Sequence, residues 1–408
     1  MPPPRRLGPR PLPLHLATAA TTWLNSVAAL PSLSFASAAS KPPLPWGRAA
    51  SAVARELAGA FSGHPPKAVE QAVGREVRRR LDALVTGITR YRQHPYRRSL
   101  ADPPVVWAEG TTRLLDFGGD TARPLLVIPS LVNRGYILDL TEERSLMRHF
   151  AGRYRPYLID WGRPGDVERG LDLTGYIAGR IATALDHVRA AAGRPPVVVG
   201  YCMGGLLAAA LAVLRPADVA GLVLLATPWD FHADRPELAR ALARGAALWM
   251  PLVDQMGELP VDGLQTLFFG LDPFQVVRKF CAFAAMRAND ERADEFVALE
   301  DWLNDGVPLV ARVARECILG WYGDNLPGTG RWTVADTAIA PAAIRAPTLV
   351  VIPAQDRIVP PPSASVLARA IPGAESLTPP LGHIGMVVSA RAKAQMWSPL
   401  GAWLDRRF

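Results

Sequence analysis

The chain has 408 residues, 49% of them hydrophobic and 11 of them tryptophan, so it is long and apolar enough to bury a large core. It contains three cysteines, Cys202, Cys281 and Cys317. An odd number in a chain of this length argues against a disulfide framework and predicts a reducing, cytoplasmic compartment. The net charge of +8 is not accompanied by an aromatic-basic platform or a DNA-binding helix pattern, so no nucleic-acid partner is predicted. Metal-ligand spacings and phosphate-binding glycine loops are also missing from the sequence, so neither a metal nor a cofactor is expected.

The basic character belongs to the first 100 residues, which hold 15 Lys and Arg and 4 Asp and Glu, a net charge of +11. Residues 12–33 are moderately apolar but contain proline and polar residues, so they fit an amphipathic helix better than a signal peptide. Such a helix either packs on its own protein or lies on an apolar surface such as a lipid or polymer particle. Residues 51–98 are helical in pattern with an arginine-rich polar face.

Strand-like and helical segments alternate after residue 100. Residues 105–107 and 113–117 predict an opening hairpin, and a helix is expected over 173–192. Apolar runs predict further strands over 125–129, 157–161, 197–201, 221–226 and 348–353. Strands separated by helical patterns are typical of a mostly parallel, doubly wound α/β sheet.

The strand over 197–201 ends within the segment Gly200-Tyr201-Cys202-Met203-Gly204-Gly205, and an Ala/Leu-rich helical pattern follows this segment. This strand–turn–helix arrangement is the nucleophile elbow of the α/β-hydrolase fold, with cysteine where serine usually stands. Glycines beside the nucleophile allow the sharp turn, and the positive end of the helix favours a thiolate and an oxyanion. The elbow therefore predicts Cys202 as a nucleophile.

An elbow nucleophile needs an acid and then a histidine later in the chain. Asp356 follows the strand over 348–353, and His383 lies between two glycines before the last helical segment. We expect His383 to act as general base and acid and Asp356 to orient its imidazole ring. The backbone N–H of Met203, and that of Leu131 or Val132, are the predicted oxyanion donors.

The strands that end near residue 228 and begin at 348 are separated by 119 residues, far more than a simple crossover needs. This interval contains several helical patterns and large apolar residues, and it predicts an inserted helical cap that excludes water from the site. The expected domains are a basic N-terminal extension over 1–100, an α/β-hydrolase core over 101–228 and 348–408, and the cap over 229–347.

Several segments together resemble the polyhydroxyalkanoate synthases, a family with the α/β-hydrolase fold. The likeness extends over roughly residues 105–400 and includes segments that carry no catalytic residue. These segments are 129–140, 157–162, 200–205, 227–231, 356–360 and 382–385.

The resemblance implies an acyltransferase that polymerises 3-hydroxyacyl groups from CoA thioesters into a polyester, with release of CoA and no separate cofactor. It implies that Cys202, Asp356 and His383 carry the chemistry and that a cap gates the site. The partners it implies are the 3-hydroxyacyl-CoA and the growing polyester, with a second synthase subunit as a further candidate. The amphipathic helix makes a polyester granule surface another candidate partner, and two exposed caps could pair into a homodimer.

Two other functions remain open at this stage. A cysteine hydrolase, acting as a polyester depolymerase or an acyl-CoA thioesterase, uses the same three residues and differs only in the access of water. A granule-associated protein with a weak or degenerate site is the third candidate, because fold alone does not determine function.

Overall fold

The computed structural model describes residues 6–30, 48–119, 123–287 and 290–408. The chain divides into two compact units: one joins Met1–Arg97 to Asp272–Glu300, and the other joins Arg98–Leu271 to Asp301–Phe408. This division differs from the expected domains, because residues 272–300, which were assigned to the cap, group with the N-terminal helices. That a cap covers the site stays a prediction.

The larger unit is built on a β-sheet. The strands of the described residues are β1 (Val105–Glu109), β2 (Thr112–Asp116), β3 (Pro124–Ile128), β4 (Arg155–Asp160), β5 (Val197–Tyr201), β6 (Gly221–Leu225), β7 (Glu258–Leu259), β8 (Leu309–Val310), β9 (Thr333–Val334), β10 (Thr337–Ala338), β11 (Thr348–Val351) and β12 (Glu375–Leu377). Eight of them form one sheet in the order β1-β2-β4-β3-β5-β6-β11-β12. In this sheet β1 and β2 form the expected hairpin, β2 pairs antiparallel with β4, and every other pairing is parallel. The α/β fold with a mostly parallel sheet is therefore confirmed.

The central strands β3, β5, β6 and β11 are buried at every position. Their continuous Val/Leu/Ile runs suit strands that are covered on both faces, as parallel strands in α/β folds are. Val198 of β5 lies between Leu126 of β3 and Leu222 of β6, so the strand that leads to Cys202 is at the centre of the sheet. The edge strand β12 is short and half-exposed, and its sequence gives no apolar run that would have predicted it.

Helices cover the sheet and fill the interval between β6 and β11. The helix expected over 173–192 begins as a π-helical segment and continues as an α-helix. The α-helices span Leu12–Ala28, Arg48–Phe61, Pro66–Gln93, Leu146–Ala151, Asp166–Arg169, Ala182–Ala192, Met203–Leu214, Pro236–Ala247, Met250–Met256, Val261–Phe269, Gln275–Ala284, Glu291–Asn304, Ala311–Arg315, Pro361–Ala370, Gly385–Val388 and Ser398–Arg407. The π-helical segments are Gly175–Ile181, Glu316–Gly323 and Lys393–Trp397, and 3-10 turns span Gly135–Leu138 and Pro341–Ala343.

The smaller unit has a core of its own. The amphipathic helix expected over 12–33 is present as Leu12–Ala28, and residues 31–33 lie outside the described residues. Its Ala19 and Trp23 are buried in a cluster with side chains of the helices Pro66–Gln93 and Gln275–Ala284. The helix thus packs on its own protein, the first of the two alternatives. The arginines on the polar face of Pro66–Gln93 are exposed.

Candidate active site

The turn after β5 has the backbone geometry of an elbow. Cys202 has a φ of 55° and a ψ of −125°, and the helix Met203–Leu214 begins at the next residue. The Cys202 N–H donates to the carbonyl oxygen of Leu225 at 2.8 Å, which ties the turn to the end of β6. A positive φ is costly for a residue with a side chain and marks a position that the surrounding structure holds in place.

Two glycines let the helix approach the sheet closely. A Cβ atom on Gly204 would collide with the carbonyl oxygen of Ile128, and one on Gly205 would collide with the side chain of Thr227. The helix N-terminus therefore lies directly against the ends of β3 and β6. This close contact explains why the elbow is followed by two residues without side chains.

His383 and Asp356 come together as the sequence predicts. The His383 Nδ1 is 2.7 Å from the Asp356 Oδ2, and both side chains are buried. The other carboxylate oxygen of Asp356 accepts the N–H groups of Ile358 and Val359 at 2.8 Å each. Because a carboxylate only accepts, Nδ1 carries the proton toward Asp356 and Nε2 is left to face the nucleophile.

Cys202 is electrostatically linked to this pair. Burial by itself would lower the pKa of His383, but the negative charge of Cys202 and hydrogen bonds to Asp356 and Cys202 outweigh it and raise the pKa to about 10. His383 is therefore held in its protonated, imidazolium form at neutral pH. The ring of Tyr201 lies 5.3 Å from the His383 ring, and its hydroxyl donates to the His383 carbonyl oxygen at 3.3 Å, a support that sequence reasoning missed.

The loop after β3 contains the two alternative oxyanion donors. The Val132 N–H is already used, because it donates to the Ser130 hydroxyl at 3.1 Å. The N–H groups of Leu131 and Met203 have no acceptor within the described residues. The Trp161 indole donates to the Pro129 carbonyl oxygen at 3.2 Å and holds the start of this loop.

A wall of aromatic side chains belongs to the same unit. Phe231, which follows β6, lies 5.8 Å from Trp321 in a stacked arrangement and 4.8 Å from Tyr322 edge to face. In the sequence, Trp321 and Tyr322 stand out only as large apolar positions in the interval, whereas Phe231 closes the segment 227–231 that carries part of the family resemblance. Within the described ranges, no cluster of three or more His, Cys, Asp or Glu side chains could hold a metal ion.

None of the helices in the described ranges is long and apolar enough to traverse a bilayer.

Comparisons with known proteins identify the family of this chain. The α/β-hydrolase fold family matches residues 123–390. The poly(3-hydroxyalkanoate) polymerase subunit PhaC of Allochromatium vinosum is 31% identical over 70% of this chain and 81% of its own length, and that of Thiocystis violacea is 30% identical with the same coverage. Among solved structures, a monoacylglycerol lipase from Paleococcus ferrophilus aligns over 73% of this chain and 99% of its own, with 16% identity and a TM-score of 0.46. The expected family and enzyme class are thereby confirmed: the chain belongs to the PhaC family of poly(3-hydroxyalkanoate) polymerases, which are acyltransferases with the α/β-hydrolase fold.

Proposed function

We propose that the chain polymerises 3-hydroxyacyl groups supplied as CoA thioesters, with release of CoA, and that Cys202, His383 and Asp356 perform the reaction. The observation that carries this proposal is the buried His383–Asp356 pair at 2.7 Å, coupled to a cysteine in an elbow. Family membership supports the substrate class, since the matched relatives are named as poly(3-hydroxyalkanoate) polymerases.

Loading transfers the acyl group to the enzyme. The Cys202 thiolate attacks the thioester carbonyl, a bond forms between sulfur and the acyl carbon, and the bond to the CoA sulfur breaks. His383 then protonates the departing CoA thiolate. The developing oxyanion accepts hydrogen bonds from the N–H groups of Met203 and Leu131. Val132 is the weaker candidate donor, because its N–H already donates to the Ser130 hydroxyl. One thioester replaces another, so this step is nearly balanced in free energy.

Elongation transfers the acyl group to a hydroxyl oxygen. His383 accepts the proton of the 3-hydroxyl group of a chain or monomer, and that oxygen attacks the acyl-Cys202 thioester. An ester bond forms and the thiolate is regenerated. Repetition gives a polyester, and no step needs a cofactor beyond the CoA thioester that is consumed. A cytoplasmic location, a granule surface, a second synthase subunit and a homodimer remain predictions from the sequence.

Hydrolysis is the second candidate, because water in place of the 3-hydroxyl would convert the same acyl-enzyme into a free acid. The aromatic wall of Phe231, Trp321 and Tyr322 favours polymerisation, since apolar side chains near the acyl-enzyme disfavour bound water. A granule-associated protein with a weak site is the third candidate. The intact His383–Asp356 pair counts against it.

The test measures CoA release from 3-hydroxybutyryl-CoA and sizes the acyl product in parallel. We expect CoA release with a high-mass polyester from the natural protein and from Cys281→Ser, a matched change at a half-buried cysteine. Cys202→Ala should abolish both. CoA release with only free 3-hydroxybutyrate would make the chain a hydrolase. Activity that survives in Cys202→Ala would overturn the assigned nucleophile.

A further inference from the structure

Tyr322 carries a hydroxyl that the proposed mechanism does not use. It lies near the end of the π-helical segment Glu316–Gly323, and its ring meets Phe231 edge to face at 4.8 Å. Its hydroxyl makes no hydrogen bond to any group in the described part of the chain. Tyr322 is half-buried and its hydroxyl is not enclosed by the chain, so a group that binds there from outside can pair with it.

Asp230 and Asn325 hold this wall in place. The Asn325 side-chain carbonyl accepts the Phe231 N–H at 2.9 Å, and its amide nitrogen donates to Asp230 Oδ1 at 2.8 Å. The same Asp230 oxygen accepts the His232 N–H at 2.9 Å, and a ring nitrogen of His232 lies 2.9 Å from the Tyr322 carbonyl oxygen. Asn325 is buried, with a φ of 51°. Both ends of its amide are satisfied, so it acts as a clamp between two chain segments.

The clamp lies at the same edge of the sheet as the nucleophile. Cys202 donates its N–H to Leu225, and the segment with Asp230 and Phe231 continues from that residue. Trp321 belongs to the hydrophobic core of the larger unit, and Cys202 and Phe231 pack against that core. Burial, and then the charges of Cys202 and Cys317, raise the pKa of Tyr322 above its usual value. The hydroxyl is therefore protonated at neutral pH, close to Cys202, and able to donate.

We propose that Tyr322 determines specificity for 3-hydroxyacyl thioesters by donating a hydrogen bond to the 3-hydroxyl oxygen of the acyl group at Cys202, and that Asp230 and Asn325 are the positioning residues that hold it there. The inference rests on the proposed function. An acyl group without the 3-hydroxyl leaves the phenol unpaired in an apolar wall, which makes that substrate unfavourable. Donation to the oxygen also leaves the hydroxyl hydrogen free for removal by a base.

The first experiment compares pre-steady-state CoA release from 3-hydroxybutyryl-CoA and from butyryl-CoA. The natural protein should prefer the hydroxylated substrate, and Tyr322→Phe should reduce that preference about 10-fold, the effect of losing one neutral hydrogen bond. The butyryl-CoA rate should stay within about two-fold. Tyr154→Phe is the matched control, because Tyr154 donates to Asp405 and precedes β4, away from Cys202.

The outcomes separate the inference from the function on which it rests. If Tyr322→Phe keeps the preference, or slows both substrates equally, the inference is wrong while the proposed function stands. If the natural protein releases CoA from neither thioester, the proposed function fails and the inference fails with it.

The second experiment tests the clamp. Asn325→Asp alone sets two carboxylates face to face and should reduce the preference for the hydroxylated substrate about as much as Tyr322→Phe. The exchange Asp230→Asn with Asn325→Asp restores one donor and one acceptor and should recover most of that preference. Melting temperatures of each variant monitor folding. A preference that is unchanged in Asn325→Asp, or that the exchange fails to recover in a folded protein, would contradict the positioning role.

Discussion

At the scale of single residues, Asp356 links the backbone to the proposed chemistry. One of its oxygens accepts two backbone N–H groups and the other accepts the His383 Nδ1–H, so its position and that of the imidazole are determined together. The Tyr201 ring packs beside the imidazole, with the two ring centroids 5.3 Å apart and the planes tilted by 31°. The hydrogen bond to Asp356 also helps to keep the pKa of His383 above its usual value.

Asp356→Asn should therefore change both the rate and its pH dependence. The amide favours the wrong imidazole tautomer, so we expect CoA release to slow roughly 10³–10⁴-fold. Since Asp356 raises the pKa of His383, which reaches about 10 in the natural protein, its loss lowers that pKa and moves the alkaline limb of the rate profile to lower pH. Rates of CoA release measured between pH 6 and 10 test this. Asp405→Asn is the control, and an unmoved alkaline limb would contradict the assignment.

At the scale of elements, β5, the elbow and the helix Met203–Leu214 are packed closely against the neighbouring strands. The helix start lies against the ends of β3 and β6 because Gly204 and Gly205 present no side chain there. The N–H of Met203 is directed by this contact. A small displacement of the helix would therefore affect both stability and the oxyanion donor.

Gly205→Ala should destabilise the fold by about 1–3 kcal/mol, the typical effect of inserting a methyl group into a closely packed contact. The new Cβ would meet the buried side chain of Thr227. Gly245→Ala makes the same change within the helix Pro236–Ala247, where nothing lies within 4 Å, and should stabilise by about 0.5–1 kcal/mol. Urea denaturation of the two variants should give opposite signs, and equal signs would contradict the packing argument.

At the scale of the whole molecule, the net charge is confined to one unit. Residues 1–97 and 272–300 together carry the entire net charge of +8, and the unit with the elbow is neutral overall. The excess positive charge that makes the isoelectric point basic therefore lies in the helical unit and not in the unit that contains Cys202.

The helical unit is built from segments far apart in the sequence. Phe280 is fully buried and meets the Tyr91 ring edge to face at 5.6 Å. Gly87 contacts the Phe280 carbonyl oxygen so closely that a Cβ atom has no room. This contact joins the helix Pro66–Gln93 to the helix Gln275–Ala284, across nearly 200 residues of chain.

Phe280→Ala should remove about 3–5 kcal/mol of stability from this unit. Hydrogen exchange should accelerate in residues 66–93 as well as around residue 280, because the two helices share one core. The control is Val85→Ala, at an exposed position of the helix Pro66–Gln93, which should change the free energy of unfolding by less than about 0.5 kcal/mol. Faster exchange limited to the helix that carries residue 280 would contradict a shared core.

The sequence by itself determined the features that depend on neighbouring residues. Continuous apolar runs predicted the central strands, since strands covered on both faces need them at every position. The glycines around Cys202 predicted the sharp turn, and the order of Asp356 and His383 along the chain indicated the pair that the structure joins at 2.7 Å. The strand β12 was missed because three half-exposed residues leave no periodic signal.

Only the tertiary structure decided which distant surfaces meet. The apolar face of Gln275–Ala284 has the same pattern whichever helix it packs on, and so the sequence assigned it to the cap while the structure groups it with the N-terminal helices. The structure also shows that the Val132 N–H donates to the Ser130 hydroxyl, which the sequence did not reveal. The Asp230–Asn325 clamp joins residues 95 positions apart. Periodicity shows that a side chain is buried, but its partner is chosen by the packing of the whole chain.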